Sequence, residues 1–511
     1  AMQNMALKCV SEGFNYKDKS VIFRLFVNQN DVDATEGITT IYGQNVGNIV
    51  VEDILPSGWE FVDIEEGTKF YLFNVNASGS PNSMTVGNRI TDYGDILGSS
   101  VFSEENRKAT FTFTKLEEPY AIFVKARPTG STLNGYFNDN KTTTVTNTLN
   151  LKSAHHPDVV TSSQEVSIIS QVLGKEMTKL ENGVLKWTVS YRPYDIFQNV
   201  QVLNQYRLID TLPEGLEIYT DSQGNLNFSD GNFVVTEMEL TPSGYVPSGQ
   251  IFTEEQLKNY ISYNAANRQL IFTIPNKDKA YRLEYKTMVT ANSGNLTNTV
   301  ALEGVSLNSV NTSRNYAVAS ADASATMSRN GWIEVEKVNQ NGSKLAGSRF
   351  TVFTSDKSLA LRTGVTDSQG KVVLRGLPVG EYILMEKEAP SGYTVSNREY
   401  IVSVTRVSGN VVTSIDGKIG TDSNKIKVTN FQEGTSGNLK VSKTVSGNDG
   451  DESKAFDFTL QVGNITGQKD FTKTGTNGSI SFGSLSFNNG SASFSLKHNE
   501  NITIIGLPKD L

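Results

Sequence analysis

Asp53-Ile54-Leu55-Pro56-Ser57-Gly58-Trp59-Glu60 returns downstream as Asp210-Thr211-Leu212-Pro213-Glu214-Gly215-Leu216-Glu217, a shared D-x-L-P-x-G-x-E. A second pair follows in the same order, Thr146-Asn147-Thr148-Leu149 and Thr297-Asn298-Thr299-Val300. Upstream, Leu7-Lys8 can be set against Gly174-Lys175. Three features recurring in one order at nearly one period mean two copies of one domain, here residues 1–172 and 173–329. The stretches between them are short and rich in β-branched and aromatic residues. Val21–Val27, Ala109–Thr114, Leu270–Ile274, Arg349–Phe353 and Lys425–Phe431 are each bounded by turn formers and read as strands. Thr253–Tyr263 reads as a short helix with a Thr cap and Glu254-Glu255 in its first turn. The fold expected is all-β: tandem immunoglobulin-like β-sandwiches, elongated.

A shorter repeat completes the chain. Val335-Glu336-Lys337 precedes Phe350 by the same step that separates Val441-Ser442-Lys443 from Phe456, and each unit later carries Gly-Leu-Pro, at 376–378 and 506–508. This sets a third domain at 330–434 and a fourth at 435–511, joined by the Gly/Ser/Thr stretch Gly434–Gly437.

Composition removes several function classes. The 511 residues carry a net charge of −8, which argues against a nucleic-acid backbone or an anionic membrane as partner. One Cys and three His leave no material for a disulfide framework or a Cys/His metal site. No run approaches the roughly 18 apolar residues of a membrane span, so no membrane insertion is expected. Ala1-Met2-Gln3-Asn4 has neither a basic nor an apolar leader region, and Ala1-Met2 looks like an expression scar. A leader and a C-terminal anchor are therefore expected to lie outside this sequence.

The third domain contains Gly380-Glu381-Tyr382-Ile383-Leu384-Met385-Glu386-Lys387-Glu388-Ala389-Pro390-Ser391-Gly392-Tyr393. This stretch resembles the "E-box" of Cna-B (SpaA-type) domains. Lys337 and the Asn430 of Val428-Thr429-Asn430-Phe431 stand where that family places a cross-linking pair. Domains one and two resemble the Cna-A-like sandwiches of the same Gram-positive, sortase-anchored pilins and adhesins. Leu439-Lys440-Val441-Ser442-Lys443 with Phe456-Asp457-Phe458-Thr459 resembles the streptococcal pilin isopeptide-linkage domain.

The resemblance implies that a first-strand Lys and a last-strand Asn condense into an amide inside each core, assisted by a buried acid. It assigns Lys8, Asp53 and Asn147 in domain one, Lys175, Asp210 and Asn298 in domain two, and Lys337, Glu386 and Asn430 in domain three. Asp53, Asp210 and Glu386 are the helper acids. Domain four shows Lys443 alone, because the step from Pro378 to Glu386, repeated from Pro508, runs past Leu511. The chemistry is consistent. Burial lowers a lysine's pKa and raises a carboxyl's, giving a free nucleophile beside a proton donor. Folding itself supplies proximity, which can be worth roughly 7–11 kcal/mol of barrier. No cofactor is needed, and each domain turns over once, so this is self-modification and not enzyme catalysis.

Blander readings stand beside these. A strand Lys is usually solvated or snorkelling, and Asp-x-Leu-Pro can be a structural turn. Lys179 competes as nucleophile in domain two, and Lys17 or Lys19 in domain one. Cys9 invites a thioester reading but lacks the aromatic-Cys context, so it reads as a buried free thiol. Asp31/Asp33, Asp221–Asp230 and Asp449/Asp451 lack a full calcium-loop spacing and read as solvated loop acids. His155-His156-Pro157 reads as loop.

The resulting expectation is an extracellular, cell-wall-anchored adhesin or accessory pilin. Its partners would be a host matrix protein or glycan, with a sortase and other pilus subunits. The alternative is a shaft-forming pilin polymerised by a sortase; no Tyr-Pro-Lys-Asn-type motif is found. A secreted enzyme is disfavoured because the repeats leave little chain for a catalytic domain.

Overall fold

The computed structural model describes residues 7–29, 49–76, 85–137, 142–153, 156–194, 202–305 and 310–509. Its strands assort into paired sheets, and these sheets group along the chain. Domain one has one sheet in the order Leu7–Ser11, Val21–Val27, Tyr120–Pro128, Phe70–Asn76, Thr85–Ile90, with Trp59–Val62 also paired to Tyr120–Pro128. Its other sheet runs His156–Ile169, Thr142–Ser153, Ile49–Ile54, Lys108–Phe113, Leu97–Ser103.

Domain two repeats that plan strand for strand. One sheet runs Leu173–Lys179, Val184–Tyr191, Ala280–Val289, Phe233–Thr241, Gly244–Ile251, with Leu216–Ile218 added to Ala280–Val289. The other runs Val310–Ala317, Asn295–Val305, Val202–Thr211, Gln269–Thr273, Ile261–Asn264. Alternation explains both layers. In Val184–Tyr191 the residues Leu185, Trp187, Val189 and Tyr191 are fully buried while the intervening ones are partly exposed. The short helix Glu254–Tyr260 carries the expected Thr253 cap, closed reciprocally by Gln256.

The repeated Asp-x-Leu-Pro-x-Gly motif is a strand end followed by a tight turn. Leu55 and Leu212 are buried plugs. Trp59 N donates to Pro56 O and Leu216 N to Pro213 O. Gly58 and Gly215 sit at φ +81° and +97°, the third position of a type II turn that glycine alone adopts without strain. The Asp side chain, three residues before the first residue of the turn, faces the core.

Domain three has a four-stranded sheet, Lys371–Leu377, Gly331–Asn339, Lys425–Gln432, Tyr393–Thr394, facing a five-stranded one, Ala360–Val365, Arg349–Thr354, Gly380–Glu388, Glu399–Val407, Asn410–Ile415. Gly331–Asn339 and Lys425–Gln432 run parallel. Domain four pairs Ser436–Lys443, Glu500–Pro508, Gly467–Thr474 and Ile480–Phe487 in one sheet and Phe456–Gln461 with Ser491–Leu496 in another.

Polar and aromatic contacts join the units. Tyr16 N donates to Pro242 O, its hydroxyl accepts from Ile169 N at 2.8 Å, and its ring lies 5.6 Å from that of Tyr194. Between domains two and three, Glu217 meets Arg268 and Arg362, each at 3.2 Å, with all three side chains largely buried. His156, read from sequence as loop, instead opens the long strand His156–Ile169. His155 and the Asp31/Asp33 pair lie outside the described residues.

Candidate functional site: a buried amine, acid and amide

Register decides which side chains meet. In domain two Asp210 stands opposite Val300 on the neighbouring antiparallel strand, and Asn298 is two residues from Val300. Period-two alternation therefore puts Asp210 and Asn298 on one inward face. Lys175 comes from the facing sheet, on Leu173–Lys179. Its side chain is fully buried and its Nζ lies 2.5 Å from Asp210 Oδ2. Tyr285 completes the group: its hydroxyl accepts from Asn298 Nδ2 at 2.6 Å and lies 3.4 Å from Lys175 Nζ. The Trp187 and Tyr285 rings line the amine at 5.4 and 5.7 Å. Burial pulls the Lys175 pKa down against the raising effect of Asp210, and pushes the Asp210 carboxyl up. Asp210 Oδ1 and Asn298 Oδ1 have no hydrogen-bond partner.

Domain three reaches the same grouping by another route. Lys337 stands opposite Val428 on the parallel neighbour, so Asn430, two residues on, shares its face. Here Lys and Asn come from one sheet, and the acid, Glu386, from the other. Lys337 Nζ is 2.7 Å from Glu386 Oε2, and Asn430 Nδ2 donates to that same oxygen at 3.0 Å. Ser348 Oγ holds Oε1 at 3.1 Å, Ser396 N approaches Oε2 at 3.3 Å, and Asn430 also donates to Thr394 O at 2.9 Å. Phe350 lies 5.6 Å from the amine. Desolvation lowers the Lys337 pKa to about 8 despite the carboxylate beside it. Asn430 Oδ1 is buried without a partner. Each site thus gathers an amine, a carboxyl group and an amide in the buried core, with the amide oxygen unpartnered; in domain three amine and amide share one carboxyl oxygen, and in domain two Tyr285 bridges amide and amine.

Domain one departs from expectation. Asp53 and Asn147 are fully buried and hold the register of domain two, Asp53 opposite Leu149 and Asn147 two residues away. Lys8 does not join them. It is exposed, because alternation along Leu7–Ser11 turns it outward and turns Cys9 in. Cys9 Sγ accepts from Asn147 Nδ2 at 3.6 Å. The proper alignment sets Leu7-Lys8-Cys9 on Leu173-Gly174-Lys175, so a one-residue slip in the repeat misassigned the nucleophile. Matching the two leucines is the signal that finds it. Lys17 is exposed as well, and in domain two Lys179 is half-exposed and pairs with Asp322 at 3.5 Å, away from the site.

Two further assignments change. Asn147 and Asn298 lie on penultimate strands, since His156–Ile169 and Val310–Ala317 follow them. The grouping in domain two therefore spans the two sheets of the sandwich and does not join its terminal strands. In domain four Lys443 is half-buried with its Nζ 4.3 Å over the Phe456 ring, and among the described residues no carboxylate lies in ion-pair range of it. Asp221 and Asp451 accept from backbone N–H groups two residues on, of Gln223 and Ser453, closing local turns. Tyr285 and Ser348 escaped sequence reasoning, being ordinary core-strand positions.

Residues 331–419 match the model of the SpaA prealbumin-like fold domain. The third domain is similar to that family over these residues. Residues 437–511, following the SpaA domain, match a domain of unknown function, DUF7601. No curated protein matches the chain. Among solved structures, the chain is similar to the Corynebacterium diphtheriae major pilin SpaA (14% identity, 74% of this chain and 100% of that one, TM-score 0.19). It is also similar to BcpA, the major pilin subunit of Bacillus cereus (13%, 75% and 99%, TM-score 0.18), and to the pilus adhesin RrgA from Streptococcus pneumoniae (18%, 45% and 32%, TM-score 0.17). Among the described residues no helix is long and apolar enough to cross a membrane.

Proposed function

We propose that this chain is an extracellular surface protein of a Gram-positive bacterium, an adhesin or accessory pilin, whose second and third domains are each closed by a self-formed Lys–Asn amide. The observation that carries the reading is the recurrence of one buried constellation, amine, carboxyl and carboxamide, in two domains of different strand topology. A buried ion pair is a poor stabilising device by itself, because desolvation offsets its attraction. Building one twice, each beside a buried asparagine with an unpartnered oxygen, makes sense as chemistry.

Lys175 Nζ attacks the Asn298 side-chain carbonyl carbon after passing its proton to Asp210. The Nζ–Cγ bond forms, the acid gives its proton to Nδ2, the Cγ–Nδ2 bond breaks and ammonia leaves, and the acid takes up the proton that Nζ sheds on becoming an amide, so that it ends protonated. Lys337, Glu386 and Asn430 do the same in the SpaA domain. The protonated acid stabilises the developing oxyanion, and no group outside the chain is consumed. The amide in domain two would lock one sheet to the other; in domain three it would lock two parallel neighbouring strands. Either makes a pulling load act on a covalent bond. The chain would thereby be protected outside the cell without disulfides, in keeping with its single Cys.

Peptide mapping tests this: a branched peptide joining Lys175 to Asn298, and another joining Lys337 to Asn430, are expected. Recovery of the four linear peptides instead would refute it.

A further inference from the structure

Domain one retains most of a linking site. Asp53 and Asn147 are completely buried, both oxygens of Asp53 and Oδ1 of Asn147 lack a hydrogen-bond partner, and the two residues hold the register of Asp210 and Asn298. Cys9 fills the slot of Lys175: Cys9 pairs with Leu25 and Leu25 with Ile122, as Lys175 pairs with Val189 and Val189 with Leu283. The same register sets Val124 where domain two has Tyr285 and Phe23 where it has Trp187. A buried carboxyl with no partner is costly unless something answers it, and here the answering amine has been exchanged for a thiol.

We infer that domain one is a dormant linking domain, with acid and carboxamide set for condensation and a thiol where the amine belongs, so that Cys9→Lys alone suffices to close a third amide. This rests on the linking chemistry proposed for domains two and three. In the variant the new Nζ would attack Asn147 Cγ, the Cγ–Nδ2 bond would break, and ammonia would leave with a proton relayed by Asp53. The missing tyrosine is no bar, because Lys337 has Phe350 and not a tyrosine beside it. The native thiol stays silent for two reasons. Burial, and then the charge of Asp53, push its pKa up, leaving no thiolate to attack. A thioester formed from an amide would also be the less stable acyl compound. Domain one is thus the one member of the first three held by non-covalent packing alone, the member that yields first under load.

The test compares intact masses, under denaturing conditions, of the wild-type chain, Cys9→Lys, and Cys9→Lys with Asp53→Ala, together with a thiol count on the unfolded wild type. The expected wild type lacks two ammonia masses and titrates one free thiol. Cys9→Lys, against its own sequence mass, is expected to lack three, and the double variant two. A wild type lacking two with Cys9→Lys also lacking two, while folded by circular dichroism, overturns the inference and leaves the linking of domains two and three intact. A full-mass wild type sinks that linking chemistry, whatever Cys9→Lys does. A wild type that loses a third ammonia and has no free thiol carries a thioester at Cys9, and a Cys9→Lys chain that fails to fold shows that the one change does not suffice; either result overturns the inference.

Discussion

Asn298 donates its side-chain amide to the Tyr285 hydroxyl at 2.6 Å, and that hydroxyl stands 3.4 Å from the amine of Lys175. Tyr285 thus orients the carboxamide toward its attacker, from a strand that holds neither reacting group. Burial and the adjacent Asp210 push its own pKa well up, so it stays a phenol. Tyr285→Phe should leave domain two folded and slow its amide formation by about tenfold, the worth of one buried hydrogen bond at roughly 1–1.5 kcal/mol. Following ammonia loss by mass after refolding checks this, with the domain-three bond as an internal control that should not change.

Glu386 is the single contact point for both reacting groups of domain three, through Oε2. Glu386→Ala should abolish that bond and leave Lys337 buried without a partner. The cost to the domain is expected at about 3–5 kcal/mol, as for a broken buried pair. The observables are one ammonia mass regained, after correction for the substitution, and a lowered melting transition.

The Lys337–Glu386 pair needs one shared proton. Transfer within the pair gives neutral amine and protonated acid with no exchange with solvent, so formation of the bond should be insensitive to pH below the lysine's lowered pKa of about 8. Above it the proton leaves, the acid can no longer protonate the departing nitrogen, and the rate should fall by up to tenfold per pH unit. Refolding between about pH 6 and 10, with ammonia loss as the readout, gives the profile; a rate that climbs through this window would exclude the acid's role.

Asp53 gives a stability prediction of opposite sign to that of a salt-bridged carboxylate. Burial raises its folded pKa from 3.8 to about 7, with Asn147 pulling weakly the other way. The unfolded chain therefore releases this proton first as pH rises, and domain one should lose stability between about pH 4 and 7. Asp53→Asn should flatten the dependence and stabilise domain one by a few kcal/mol at neutral pH. Urea titrations of domain one's transition at several pH values measure it.

How much of this could be read from sequence varies by residue. Lys337, Glu386 and Asn430 were legible because each lies in a recognisable local stretch whose alternation points inward. Asp210 and Asn298 emerged from the repeat. Cys9 was read as a buried free thiol, and it is one; its place in the site was missed because a slip of one residue in aligning the two strands set Lys8, which alternation turns outward, on Lys175. The strand beginning at His156 was missed because His155-His156-Pro157 carries turn-like residues, while pairing to Thr142–Ser153 overrides local preference. Tyr285 carries no sequence signal at all; its role comes from two strands brought opposite each other by the fold. The inversion between domains, with the acid and amide on one sheet in domain two and the amine and amide on one sheet in domain three, was likewise invisible before the register was known.

The most direct test of the account is the intact mass of the wild-type chain, unfolded in denaturant. The account predicts a deficit of two ammonia masses from the sequence mass, reduced to one by either Lys175→Ala or Lys337→Ala after correction for the substitution. The full sequence mass would contradict it, leaving two buried ion pairs beside idle asparagines.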